Sequence, residues 1–229
     1  MKRSKTIIYL TVALMSITGC NDQTETQSQS TETHSQDNKP KDTTKSKEPT
    51  IEKPAVEKET YSFQKTLQFK GISFDIYTKG SGSLRQLNIQ PKGFEETNKS
   101  FELEIEGVVT DAHVADLNSD GFPELLIFTQ SAGSGSYGNV IAFSANGAKS
   151  MSKVYFPPAS ENPKLNKGYM GHDTFLINES TLIQEFPIYK EGDPNSDPTG
   201  GIRRILYKLI DGEASRKFVA DKISESPSK

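Results

Sequence analysis

Apolar and polar residues alternate through most of the chain after Tyr61, the two-residue period of a strand with one buried face. Tyr61, Phe63, Leu67 and Phe69 share a face of a first strand, Ile72, Phe74 and Ile76 of a second, and Leu87 and Ile89 of a third. Phe101, Leu103 and Ile105 alternate with Glu102, Glu104 and Glu106, whose carboxylates read as a solvated face. Val108 to Val114 continues as a strand into a polar turn at Asp116. Further strands are expected over Glu124 to Thr129, Asn139 to Ala145, Lys153 to Phe156, Phe175 to Ile177, Thr181 to Tyr189, Arg203 to Leu209 and Lys217 to Val219. Pro157-Pro158 ends one of these and opens a long loop to Asp173, while Asp211-Gly212 suits a hairpin turn between the last two. No window has a helical period. The segments therefore predict an all-β, antiparallel β-sandwich or flattened barrel of about eight to ten strands.

The alternation fails in one place. Leu125 to Phe128 is a continuous apolar run, too short for a helix, with Pro123 before it and Ser131 to Gly135 after it, which marks a central strand. From Ser131 to Gly138 the chain holds three glycines, three serines, Ala132 and Tyr137. Such a loop has almost no bulk until its tyrosine. Set on a rigid strand, it is narrow enough to enter a cleft.

Residues 1–19 have a basic start, Lys2, Arg3 and Lys5, and an apolar run from Ile7 to Ile17, too short to span a bilayer and proportioned as a secretory signal. Ile17-Thr18-Gly19-Cys20 resembles a bacterial lipobox. That resemblance implies that Cys20, the chain's single cysteine, becomes a lipidated N-terminus whose acyl chains anchor the protein to a membrane. Asn21 rather than Asp after the cysteine favours the outer membrane over the inner, with the domain facing the periplasm. From Asn21 to Thr50 no apolar side chain occurs, so residues 20–60 read as a disordered tether, holding a domain at 61–229 roughly 35 Å from the membrane.

Charge narrows the function further. From Tyr61 onward 18 Lys and Arg stand against 21 Asp and Glu, with no basic stripe, no zinc spacing and no Trp, which argues against nucleic acid as a partner. No cofactor is expected. Asp116, Asn118, Asp120, Gly121 and Glu124 form D-x-N-x-D-G-x-x-E, which resembles the calcium loops of integrin-type propeller repeats. The same residues also suit an Asx turn whose side chains bond their own backbone. Ser134 lacks the flanking glycines of a nucleophile elbow, and nothing in local spacing brings His113 or His172 to it, so an enzyme is not expected. For His172-Asp173 a structural hydrogen bond is the expected role.

Ser134-Gly135-Ser136-Tyr137 resembles the S-G-x-Y loop of bacterial lysozyme inhibitors. Phe122-Pro123-Glu124-Leu125, Gln130 through Gly138 and Lys167-Gly168-Tyr169-Met170-Gly171-His172-Asp173 are similar to the periplasmic inhibitors of I-type (invertebrate) lysozyme, over about Val114 to Leu209. The resemblance implies that the loop enters the lysozyme cleft, with Ser134 meeting the catalytic carboxylates, Gly135 permitting the turn and Tyr137 bracing or flanking it. It also allows a homodimer. A glycosidase cleft carries two carboxyl groups, so a slender tip with hydrogen-bond donors suits it on chemical grounds. Lys164 to Asp173 and Lys190 to Gly201 are the neighbouring loops expected to widen such a contact. The rival reading is a calcium-stabilised adhesion or glycan-binding envelope module that presents the same loop to a saccharide.

Overall fold

The computed structural model describes residues 60–227; the signal segment, Cys20 and the tether up to residue 59 lie outside the described residues. Among the described residues twelve strands form three antiparallel sheets, each a four-stranded meander in chain order. The first contains β1 (Phe63–Phe69), β2 (Ile72–Lys79), β3 (Leu84–Lys92) and β4 (Phe101–Glu106). The second contains β5 (Val108–Ala115), β6 (Glu124–Gln130), β7 (Gly138–Ala145) and β8 (Met151–Val154). The third contains β9 (Thr174–Asn178), β10 (Thr181–Pro187), β11 (Ile202–Ile210) and β12 (Lys217–Ser226). Among the described residues the helical structure is a single 3-10 turn, Ala159–Glu161.

The all-β antiparallel class agrees with the alternation, but the layering differs from a two-sheet sandwich or barrel of eight to ten strands. The second sheet is a middle layer. Leu125, Ile127, Phe143 and Ala145 pack with Phe74, Ile76, Leu87 and Ile89 of the first sheet. Leu126, Phe128, Val140 and Ala142 pack with Leu182, Phe186, Ile205 and Tyr207 of the third. Residues on opposite sides of β6 and β7 thus enter separate cores, which is why the run Leu125 to Phe128 does not alternate. Leu125, Leu126 and Ile127 are wholly buried, and burial of each stabilises the fold by about 1.5–3 kcal/mol. Lys65 of β1 joins the first two sheets by donating to Asp111 Oδ1 at 2.7 Å and to the Ala112 carbonyl at 2.8 Å on β5.

Several boundaries differ from the expectation, and the hydrogen bonding at each shows why. β8 ends at Val154 because Tyr155 leaves the second sheet for the third: its N–H donates to the Arg216 carbonyl at 3.0 Å and its carbonyl accepts from Phe218 at 2.9 Å. β10 stops at Pro187, after which Ile188 pairs with Gly201 and Gly200, and the Tyr189 N–H donates to the Gly168 carbonyl. Asp211-Gly212 is part of a six-residue connection, since Ile210 pairs with Lys217. β12 continues to Ser226, held by Glu225, which takes Arg203 Nη2 at 2.7 Å.

Candidate functional site

Strand β6 pairs with β7 from Glu124↔Ser144 to Gln130↔Gly138, so the segment between Gln130 and Gly138 is the tip of a hairpin in the middle sheet. Its neck is closed twice. The Ser131 N–H donates to the Tyr137 carbonyl at 2.9 Å, and the Tyr137 N–H donates to Ser131 Oγ at 3.0 Å. Within the tip the Ser136 N–H reaches the Gly133 carbonyl at 3.0 Å, which puts Ser136 at φ 43°. The left-handed residue is therefore Ser136, not Gly135. Gly135 matters for a different reason: a Cβ there would lie 2.5 Å from Tyr137 Cε2 and 3.1 Å from the Met170 carbonyl. Close packing against the ring, rather than turn conformation, is what a side chain here would disturb. Ala132, Gly133 and Ser134 are exposed, and Tyr137 keeps 48 % of its surface in solvent.

The third sheet supplies the support. Asp173, 6 % exposed, accepts the Gly138 N–H at 2.8 Å, the Tyr169 hydroxyl at 2.7 Å and Gln184 Nε2 at 2.6 Å. Gln184 Oε1 in turn accepts the Tyr207 hydroxyl at 2.7 Å. Burial pushes the Asp173 carboxyl above its ordinary value, and the bonds from Gly138, Tyr169 and Gln184 oppose that shift. Burial, followed by the Asp173 charge, raises the Tyr169 phenol, which keeps it a donor. The Tyr169 ring lies edge-on to Tyr137 with centroids 5.7 Å apart, and also meets Phe186 at 4.6 Å. Tyr137 thus packs beside the loop against the Tyr169 ring, which sets its position.

Both neighbouring loops stand beside the tip. In the loop from Lys164 to Asp173, the His172 N–H donates to the Gly135 carbonyl at 2.8 Å. That loop is itself pinned by Arg203, 5 % exposed, whose Nη1 donates to the Leu165 and Lys167 carbonyls at 2.6 and 2.8 Å. In the loop from Lys190 to Gly201, Asn195 Nδ2 donates to the Ser134 carbonyl at 2.8 Å. Asp193 shapes this loop by accepting the Lys190 and Thr199 N–H groups, each at 2.8 Å, and those bonds hold its carboxyl below the ordinary range.

The structure brings His172 near Ser134, which local spacing did not show. Its Nε2 engages Asn195 Oδ1 at 3.2 Å, so Asn195 stands between the two residues and no nucleophile-to-base hydrogen bond is made. His113 lies elsewhere, 2.9 Å from Asp111 Oδ2.

The acidic turn is closed on itself. Asp116 Oδ1 and Oδ2 accept the Asp120 and Gly121 N–H groups at 3.1 and 2.9 Å, Asn118 Oδ1 accepts Asp120 N–H at 3.0 Å, and Asp120 Oδ1 accepts Phe122 N–H at 2.9 Å. Glu124 points into the core, taking the Leu117 N–H at 2.7 Å and the Ser144 hydroxyl at 2.6 Å. This is the Asx-turn arrangement, and among the described residues no group of three or more His, Cys, Asp or Glu side chains is placed to hold a metal ion.

The domain thus presents a slender, buttressed hairpin tip at which Asn195, not Ser134, takes the His172 ring nitrogen. The family described as periplasmic lysozyme inhibitor of I-type lysozyme matches residues 92–160, which include β4 to β8 and the whole of the 131–138 loop. The match begins and ends earlier than the span of about 114 to 209 read from the sequence, and leaves the third sheet outside it. No curated protein and no solved structure matches the chain.

Proposed function

We propose that the domain is a proteinaceous inhibitor of I-type lysozyme that seats Ser134, Gly135, Ser136 and Tyr137 in the enzyme's active-site cleft. The observation that carries this reading is the coincidence of two facts: the family match covers the exposed hairpin tip, and that tip is braced by Asp173, next to β9, and by Asn195 in the connection between β10 and β11. A braced tip loses little conformational freedom on binding, so more of each contact appears as affinity. The Ser134 hydroxyl and the Ser134 and Gly135 N–H groups, which make no hydrogen bond within the described residues, are donors for a catalytic carboxylate. A hydrogen bond to a charged group contributes about 1.5–3 kcal/mol. A stable complex buries roughly 1,200–2,000 Å² in total, more than one hairpin tip supplies, and the loops carrying Met170 and Asn195 stand where they extend the contact.

In this reading Cys20 is lipidated and residues 20–60 tether the domain to the envelope, periplasm-facing, so that it intercepts lysozyme before the enzyme reaches the cell wall. Lysis of cell-wall suspensions by an I-type lysozyme should stop on addition of the purified domain. The pair Ser134→Ala, Tyr137→Ala should relieve inhibition with an unchanged melting temperature. Full lysis in the presence of the parent domain, together with binding to a saccharide, would transfer the loop to the glycan-binding reading. A Cys20→Ser variant should move from the detergent phase to the soluble fraction; retention in the detergent phase would remove the anchor.

A further inference from the structure

The inhibitory reading of the loop leaves open what aims its donors, and two third-sheet contacts bear on this. Asn195 Nδ2 donates to the Ser134 carbonyl at 2.8 Å, and the His172 N–H donates to the Gly135 carbonyl, also at 2.8 Å. Two successive carbonyls of the tip are therefore drawn toward the third sheet. Every peptide bond in the described chain is trans, and across a trans peptide the C=O and the next N–H point in opposite directions. Drawing the Ser134 carbonyl to Asn195 turns the Gly135 N–H away from it. Drawing the Gly135 carbonyl to His172 turns the Ser136 N–H back into the tip, where it meets Gly133 at 3.0 Å. Of these two amides, one closes the loop and the other makes no hydrogen bond within the described residues.

Asn195 is itself held on both sides. The Tyr189 hydroxyl donates to its carbonyl at 2.9 Å, and its Oδ1 engages His172 Nε2 at 3.2 Å, which commits Nδ2 to Ser134. The His172 and Tyr189 rings lie 6.2 Å apart. We propose that Asn195 is a positioning residue for inhibition: by fixing the Ser134 carbonyl it directs the Gly135 N–H, beside the Ser134 hydroxyl, at a carboxylate of the lysozyme cleft. The pair then acts as a small anion-binding nest, sixty-one residues away in sequence from the side chain that sets it. This rests on the inhibitory reading and adds to it the donor and the residue that aims it.

Asn195→Asp tests the assignment because it preserves size while replacing the donor with an acceptor opposite the Ser134 carbonyl. With an I-type lysozyme, Asn195→Asp should raise the inhibition constant about tenfold, and Asn195→Ala should do no worse. The loop is half-exposed at Asn195, so both variants should melt with the parent. In a Ser134→Ala background the cost of Asn195→Asp should shrink, since the two residues act on one contact. The Gly135 amide resonance should shift in Asn195→Asp, a readout that simple space filling would not move. If Asn195→Asp inhibits as tightly as the parent, the positioning role is wrong while the inhibitory loop stands. If the parent itself fails to inhibit, both are overturned.

Discussion

The Asp173 carboxylate accepts the Gly138 main-chain N–H at 2.8 Å across 35 residues, and this bond fixes the end of the hairpin tip to the third sheet. Two further donors, Tyr169 and Gln184, converge on the same carboxylate. In Asp173→Asn one acceptor oxygen becomes an NH2 group facing donors, which leaves buried hydrogen-bonding groups without partners. We expect a loss of about 2–3 kcal/mol in urea unfolding. Tyr169→Phe removes one donor and keeps the ring against Tyr137, so it should cost about 1 kcal/mol. If the two variants unfold at the same urea concentration, the carboxylate is not the hub of the support.

Burial raises the carboxyl pKa of both Asp173 and Glu124, from ordinary values of 3.8 and 4.5. A raised native pKa means that the native state binds the proton more tightly than the unfolded chain does. The stability contribution is fully present below the unfolded value and is lost as pH rises through the native value. Asp75 and Asp111 act in the opposite sense: hydrogen bonds from Lys92 and Thr66 lower the first, and for the second burial, which alone would raise it, is outweighed by the bonds from Lys65 and Ala112 together with the charges of His113 and Lys65, so their contributions are lost as pH falls below about 3.8. Glu124→Gln cannot titrate at that position. The stability of the parent minus that of Glu124→Gln should therefore be greater at about pH 4 than at about pH 7. A difference that grows toward neutral pH would contradict the assignment.

The strands were legible because alternation assigns each residue to a face. Which sheet a strand joins was not, because a face pattern carries no information about the neighbouring layer. The exception was β6: its unbroken apolar run was the mark of a middle layer, and reading it as merely central missed the third sheet. The loop from Ser131 to Gly138 could be found from composition and short motif, but its support could not. Asn195 lies among Asp, Pro and Ser residues that read as a plain turn. Gln184 did carry a signal: it sits between Leu182 and Phe186 on the inward face of β10, where a polar side chain needs a buried partner. Tyr207, inward on β11 between Ile205 and Leu209, carried the same one.

Gly135 and Gly171 separate two ways in which this site depends on glycine. At Gly135 a methyl group would meet the Tyr137 ring at 2.5 Å, and that ring, half in solvent, can swing away. Gly135→Ala should therefore weaken inhibition about tenfold while changing stability by less than about 1 kcal/mol. At Gly171 the backbone has φ 88°, and a Cβ would strike the Gly135 carbonyl, which cannot move without breaking its bond from His172. Gly171→Ala should cost about 1–3 kcal/mol in addition to its effect on inhibition. Equal urea midpoints for the two variants would show that the tip yields as easily in its backbone as in its tyrosine.

Arg216 brings a positive charge to the acidic turn. Its guanidinium donates to Ser144 Oγ, to the Ala145 carbonyl at 2.7 Å, to Asp120 Oδ2 at 3.3 Å and to Asp211 Oδ1 at 3.2 Å. Ser144 passes the interaction on to Glu124, so one cation from the connection between β11 and β12 serves both a turn carboxylate and a buried one. Asp211 is almost fully exposed and contributes little, whereas the bonds to Ser144 and Ala145 are sheltered. Arg216→Ala should lower stability by about 2 kcal/mol. Because the turn oxygens are already taken by main-chain N–H groups and by Arg216, millimolar calcium should leave the melting temperature of the parent unchanged. An ion that competed successfully would have to displace those donors and would stabilise the fold by mass action, so a rise of several degrees on adding calcium, reversed by chelator, would restore the calcium loop that the sequence motif suggests.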